Sequence, residues 1–296
     1  AVFHVGRASI LAALGQDEAA LAAFDRAVEL EPANTGIHVD RATAALRCNR
    51  NEEALKSLDS ALAAQPDSAP LLRNKGVALR RLNRRDEALA VLQAAARLDP
   101  PRSDVFNALG NVQRDLRCFE DALVSYDRAL ALAPQHADNH NSRGSVLVDL
   151  GRYDEALAAH DQAVAIAPNL PNAHGGRGTA LTALGRYEDA LESFHRALAL
   201  QPASALFLHN RAVLLRRLGR PAEAVENYDQ ALAISPGYDE ARWHRSLCNL
   251  TLARFEQGWL DYEYRWRNPQ FIKDWVLWGV GPRGEPPGAE ARPGSP

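Results

Sequence analysis

GRYDEALAAHDQAVAIAP (residues 151–168) and GRYEDALESFHRALALQP (residues 185–202) carry one pattern at two places, 34 residues apart. Gly151 and Gly185 open it, Ala156 and Ala190 follow, then Ala163 and Ala197, and Pro168 and Pro202 close it. Outward from this pair the closing proline recurs as Pro32, Pro66, Pro100, Pro134 and Pro236, without a slip in spacing. Self-similarity at a fixed period of this length marks a stack of short helical units. With each proline numbered position 32, residue 1 falls at position 1. Position 20 is then Ala20, Ala54, Ala88, Ala122, Ala156, Ala190 and Ala224. Position 27 is Ala27, Ala61, Ala95, Ala129, Ala163, Ala197 and Ala231. Position 8 is always small: Ala8, Ala42, Gly76, Gly110, Gly144, Gly178, Ala212 and Ser246.

Small residues at 8 and 20 let two antiparallel helices approach closely, and the alanine at 27 admits the next pair. Proline cannot continue a helix, so position 32 ends the second one. Position 15 is Gly or Asn in six repeats (Gly15, Asn49, Asn83, Gly151, Gly185, Gly219), the residue types that accept a left-handed helix C-cap. The acidic pairs Glu52-Glu53, Asp86-Glu87 and Asp154-Glu155 then suit the positive end of a helix dipole. Apolar positions 21, 24, 28 and 30, such as Leu123, Tyr126, Leu130 and Leu132, form one stripe to bury. The pattern predicts an all-α solenoid of antiparallel helix pairs.

Composition narrows the function. A net charge of −3 argues against a nucleic-acid binder, and no apolar run approaches the length that spans a bilayer. Cys48, Cys118 and Cys248 are odd in number and far apart, which predicts free thiols in a reducing, cytoplasmic setting. The chain starts at Ala1 and contains no Met, so it reads as a piece of a longer protein. Only three lysines stand against many arginines, with heavy use of Ala and Leu, a pattern of GC-rich bacterial coding.

Over residues 1 to about 268 the sequence resembles the tetratricopeptide-repeat family. The resemblance implies a right-handed superhelix whose concave groove, lined by the first helices, holds peptides or partner surfaces. The family often has Leu at position 7; here Leu109 keeps it, while Arg7, Arg41, Lys75, Arg143, Arg177, Arg211 and Arg245 stand in the other repeats. Position 25 is acidic in Asp25, Asp59, Asp127, Asp161, Asp229 and Glu263. A ladder of ion pairs between the two helices of each repeat is therefore expected, with arginine stems packed on the hairpin.

Seven units fill residues 1–238, an eighth and aromatic unit runs over 239–268, and a tail occupies 269–296. In the eighth, Phe255, Trp259, Tyr262 and Trp266 fall at positions 17, 21, 24 and 28, on one face of a continuous helix. They are expected to cap the core or to dock a following domain or a second copy. Residues 255–259 and 262–266 also resemble the junction where a repeat array precedes a glycosyltransferase-like domain, as in the O-GlcNAc transferase and SPINDLY group. That resemblance implies the recognition arm of a bacterial glycosyltransferase-like protein. Beyond Trp275 and Trp278, residues 279–296 hold 5 Gly and 5 Pro, a composition that reads as disordered.

In the family the groove is lined from positions 2, 5, 6, 9, 12 and 13. Those positions carry Arg73, Asn74, Arg80, Arg81, Asn107, Asn111, Arg114, Asn141, Asn210, Arg216 and Arg217. Asparagine amides donate to and accept from a peptide backbone without reading its sequence. The arginines add an expectation of acidic ligand segments, although a helix C-terminus favours cations without any ligand. His4, His38, His140 and His174 recur at position 4, spaced too widely to share one ion, and are expected to pack half-buried. No phosphate loop, nucleophile elbow or metal-ligand spacing is found. The sequence predicts a noncatalytic scaffold for a protein or peptide, without metal or cofactor and with no nucleic-acid or membrane partner.

Overall fold

A computed structural model describes residues 1–267; the expected tail over 269–296, with Trp275 and Trp278, lies outside the described residues. These residues fold into helices joined by short turns, in two compact units divided after Ile166. The first unit holds α1 (Val2–Ala13), α2 (Asp17–Leu30), α3 (Thr35–Arg47), α4 (Asn51–Ala64) and α5 (Ala69–Arg81). It continues with α6 (Arg85–Ala95), α7 (Ser103–Asp115), α8 (Phe119–Leu132), α9 (Ala137–Asp149) and α10 (Tyr153–Ile166). The second unit holds α11 (Pro171–Ala183), α12 (Tyr187–Leu200), α13 (Ala205–Arg217) and α14 (Pro221–Ile234). It ends in α15 (Asp239–Thr251), α16 (Phe255–Tyr262) and a 3-10 helix, Glu263–Arg267. Within each unit every odd-numbered helix packs on the even one that follows it, and successive hairpins stack.

The small positions are the seams of this packing. Ala8, Ala42 and Ala212 have no exposed surface, and neither do the position-20 alanines Ala20, Ala54, Ala88, Ala122, Ala156, Ala190 and Ala224. At Gly110 an added Cβ would lie 2.8 Å from the Tyr126 ring, and at Gly178 2.9 Å from Phe194. Position 8 is thus small because the side chain at position 24 lies flat against its Cα. Interiors packed this tightly have no slack for an extra methyl group.

The C-cap works in all eight hairpins rather than six. Positive φ occurs at Gly15, Asn49, Asn83, Gly151, Gly185 and Gly219, and also at Arg117 (62°) and Ala253 (56°). The turn geometry overrides residue preference at those last two, where a Cβ makes the left-handed region costly. Position 4 has an equally local explanation. His38, His140 and His174 each set Nε2 at 2.7, 2.9 and 2.8 Å from the carbonyl of Pro32, Pro134 and Pro168. Arg242 donates to Pro236 in the same way, at 2.7 Å. In these four repeats position 4 ties the new hairpin to the turn before it.

The ion pairs between positions 7 and 25 exist, but they join one repeat to the next and not the two helices of one repeat. Arg41 pairs with Asp25, Lys75 with Asp59 and Arg143 with Asp127, each at 2.7 Å, and Arg245 with Asp229 at 2.6 Å. Each acid precedes its cation by 16 residues, on the second helix of the preceding repeat. The cation lies over the seam between hairpins, so within its own repeat it reaches position 23. Arg41 and Arg177 donate to Ser57 and Ser193 at 2.7 Å. Arg211 and Arg245 likewise donate to Asn227 at 2.7 Å and Asp261 at 2.8 Å.

The eighth unit also departs from expectation. Its second helix stops at Tyr262, so Trp266 lies in the 3-10 helix and does not continue the face of Phe255, Trp259 and Tyr262. Arg265 donates to the Tyr262 carbonyl at 2.9 Å, taking the acceptor that the next helical turn would use.

Candidate binding face of the first helices

In the first unit α5 packs against α7 and α7 against α9, bringing together most of the residues that the repeat pattern selected. The amides form a chain instead of a row of free groups. Tyr126 Oη donates to Asn111 Oδ1 (3.0 Å), and Asn111 Nδ2 to Asn107 Oδ1 (3.0 Å). Asn107 Nδ2 donates to Asn139 Oδ1 (2.8 Å), and Asn139 to Ser103 Oγ (3.0 Å), which reaches the Ala129 carbonyl (2.9 Å). Burial pushes the Tyr126 hydroxyl up, so it stays a proton donor at neutral pH. Each asparagine keeps spare hydrogen-bonding capacity, but its orientation is set before any ligand arrives.

The arginines of the stripe are mostly matched. Arg80 holds both oxygens of Asp115, at 2.5 and 3.3 Å, and Arg114 holds Asp149 at 2.6 Å. Arg81 donates to the Leu46 carbonyl at 2.6 Å. These contacts join position 12 or 13 of one repeat to its neighbour in the next. They supply a structural reason for the arginines and lower the charge offered to an acidic ligand.

Arg73 is different. Its Nη1 donates to Asn74 Oδ1 at 2.8 Å, while its Nε is buried without a hydrogen-bond partner. It lines a cavity of about 500 Å³ with Arg102, Ser103, Asp104, Asn107, His136 and Asn139. Arg102 grips Asp104 at 3.0 and 3.1 Å. The Asp104 carboxyl is held below the usual range: burial opposes ionisation, and the hydrogen bond from Arg102 with the charges of Arg102 and Arg73 outweighs it. Two guanidinium groups facing one carboxylate leave a single positive charge in the cavity. Sequence reasoning missed Ser103, His136 and Asn139, because they stand at positions 1, 34 and 3, outside the expected groove positions.

The remaining candidates are apart from this cavity. Asn141 is partly buried on α9, with its Oδ1 unpartnered, and Asn210 is partly buried on α13 in the second unit. Phe255 and Trp259 are each 58% exposed, next to a 63% exposed Leu260. Tyr262 meets Trp259 edge-on at 5.5 Å, and Arg265 stacks over Tyr262 (4.2 Å) and Trp266 (4.5 Å). Trp259 corresponds to Leu21, which is fully buried in the first repeat, and no described helix covers it.

Three family models, each describing a tetratricopeptide repeat, match residues 2–34, residues 39–103 with 176–239, and residues 135–203. The chain belongs to the tetratricopeptide-repeat family. Among solved structures, it superposes on a chain of the APC/C hetero-tetramer Cut9–Hcn1 with a TM-score of 0.70 at 18% identity. That match covers 78% of this chain and 48% of the other, so this tetratricopeptide-repeat chain spans about half the length of that relative. A tetratricopeptide-repeat protein of Parabacteroides merdae matches with a TM-score of 0.65 at 20% identity, over 82% of this chain and 97% of the other. A thermophilic repeat protein of Thermus thermophilus matches with a TM-score of 0.56 at 24% identity, over 62% and 100%. At such identities the likeness is one of fold. No curated protein matches the sequence. Among the described residues, no helix is long and apolar enough to cross a membrane.

Proposed function

We propose that this tetratricopeptide-repeat chain is an interaction scaffold that holds an extended peptide segment across α5, α7 and α9. Family membership supports the class of function, and the Arg73 cavity supports the place. The single observation that carries it is the Arg73 guanidinium, half-buried with its Nε unpartnered beside a pre-oriented amide chain. A side-chain or C-terminal carboxylate of the peptide completes the hydrogen bonding of Arg73, while Asn74, Asn107, Asn111 and Asn141 take its backbone. The acidic preference is narrow, because Asp115 and Asp149 neutralise Arg80 and Arg114. The chain then works by capture on a preformed surface and has no catalytic step of its own.

The test uses a decapeptide selected by display on the whole chain and measured by fluorescence anisotropy. Arg73→Ala is expected to weaken binding about tenfold, the scale of one charge-assisted hydrogen bond. Equal affinity of wild type and Arg73→Ala sinks this placement.

A second reading concerns the aromatic end. Exposed Phe255, Trp259 and Leu260 favour self-association there, and Trp259→Ala then lowers the mass in solution. The alternative of a glycosyltransferase recognition arm rests on residues 255–266 alone, beyond the last residue that the family models match.

A further inference from the structure

We propose that His209, Glu240 and His244 form a binding site for one divalent transition-metal ion of the zinc class. His209 lies on α13 and the other two lie one helical turn apart on α15, so the three converge across the seam between the seventh and eighth hairpins. One ligand atom from each residue lies within 4.8 Å of those of the other two.

The two imidazoles are held in place before any ion binds. His209 is only 4% exposed and stacks on Tyr238 at 4.8 Å, while Trp243 stacks on His244 at 4.7 Å. The two imidazole rings are 5.3 Å apart between centroids. Packing accounts for the stacking but not for the polar atoms. The Nδ1 of His209 and the Nδ1 of His244 are both buried without a hydrogen-bond partner. Leaving one such group unsatisfied costs about 1–3 kcal/mol, and two occur side by side here. A neutral imidazole nitrogen is the form that binds metal.

The donor set selects the ion. Two nitrogens and one carboxylate suit zinc and its neighbours, whereas calcium and magnesium take oxygen ligands. Zinc–nitrogen bonds of about 2.0–2.1 Å place tetrahedral ligand atoms about 3.4 Å apart, closer than 4.8 Å. Glu240 is exposed, so its free side chain supplies the closing movement and the route of entry. The fourth position remains for water. The sequence hides this site because 35 residues separate His209 from His244 and no local motif joins them.

The test is a titration of the EDTA-stripped whole chain with zinc sulfate by calorimetry. It is followed by cobalt(II), read by visible absorption and by quenching of tryptophan fluorescence through Trp243. The expected result is one ion per chain, tetrahedral cobalt bands and a raised Tm, since the ion ties α13 to α15. His244→Gln is expected to abolish these signals, and Glu240→Gln to weaken binding about tenfold or more. Glu240 is on the surface, so its variant keeps the fold, which circular dichroism verifies; His195→Gln, an exposed histidine elsewhere, is expected to change nothing. The proposal is overturned if no ion binds, or if Glu240→Gln and His244→Gln bind as tightly as wild type, which places the ion elsewhere on the surface.

Discussion

The imidazole of His160 lies flat against the Cα of Gly144, so near that a Cβ on the glycine would stand 2.8 Å from the ring. The ring has no exposed surface and neither nitrogen has a hydrogen-bond partner. Tyr126 and Phe194 fill the same place in the flanking repeats. A histidine there is an aromatic filler that retains a proton site.

That proton site makes stability depend on pH. Burial lowers the His160 pKa from 6.5 to about 4, with Asp161 opposing and Arg114 adding slightly. The folded ring stays neutral where the unfolded one becomes charged. Its contribution is therefore complete above pH 6.5 and falls as the pH drops toward 4, by about 3 kcal/mol. Urea melts of wild type and His160→Phe should diverge between pH 6.5 and 4, with the variant the less acid-sensitive. Parallel curves would contradict this account.

Glycine positions should respond with opposite signs. Gly6 has nothing within 4 Å of an added Cβ, so Gly6→Ala gains about 0.5–1 kcal/mol of helix stability. At Gly144 the same change meets the His160 ring, and overpacking outweighs the gain for a net loss of about 1 kcal/mol. Thermal melts of the two variants should move in opposite directions.

Arg117 holds φ at 62° where four other repeats place glycine at 71–76°. Arg117→Gly should stabilise the chain by about 1 kcal/mol, because glycine has no Cβ to strain. The same holds for Ala253. A fall in denaturation midpoint for either variant would show that its side chain contributes more than the strain costs.

Arg245 grips two carboxylates of unequal exposure, Asp229 at 53% and Asp261 at 6% by side chain. Asp261→Ala strips the buried partner and should cost about 3 kcal/mol. Asp229→Ala removes a solvent-screened partner and should cost under about 1 kcal/mol. Equal losses in denaturant melts would mean that the seam does not distinguish the two.

Asp115→Asn with Asp149→Asn releases Arg80 and Arg114 from their partners. Binding of a glutamate-rich peptide should strengthen about tenfold at low salt and lose the gain as salt rises. Anisotropy titrations at two ionic strengths test this, and unchanged affinity would place acidic ligands away from this face.

The period, the helix pairs and the small-residue seams were legible because each follows from one residue type at one position. Pairing across seams was less so. The position-25 acid that Arg41 uses is Asp25, 16 residues back, and nothing in a single repeat distinguishes it from Asp59. Arg80 and Arg114 read as groove cations because their partners lie 35 residues ahead, on the next first helix. The cavity drew Ser103, His136 and Asn139 from repeat boundaries, where hairpin stacking and not helix periodicity decides which atoms meet. Arg117 was missed for a simpler reason: its left-handed turn is dictated by the hairpin, and its residue type gives no sign of it.

The bonds joining repeats follow fixed offsets along the chain, 16 residues for Arg41 to Asp25 and 35 for Arg80 to Asp115. Residues 103–136 carry both Arg114 and Asp115. A tandem duplication of that block would place a second Asp115 opposite the first Arg114, and the second Arg114 would still meet Asp149. Such a gene can lengthen by one unit in a single recombination event without losing an ion pair at the new joint.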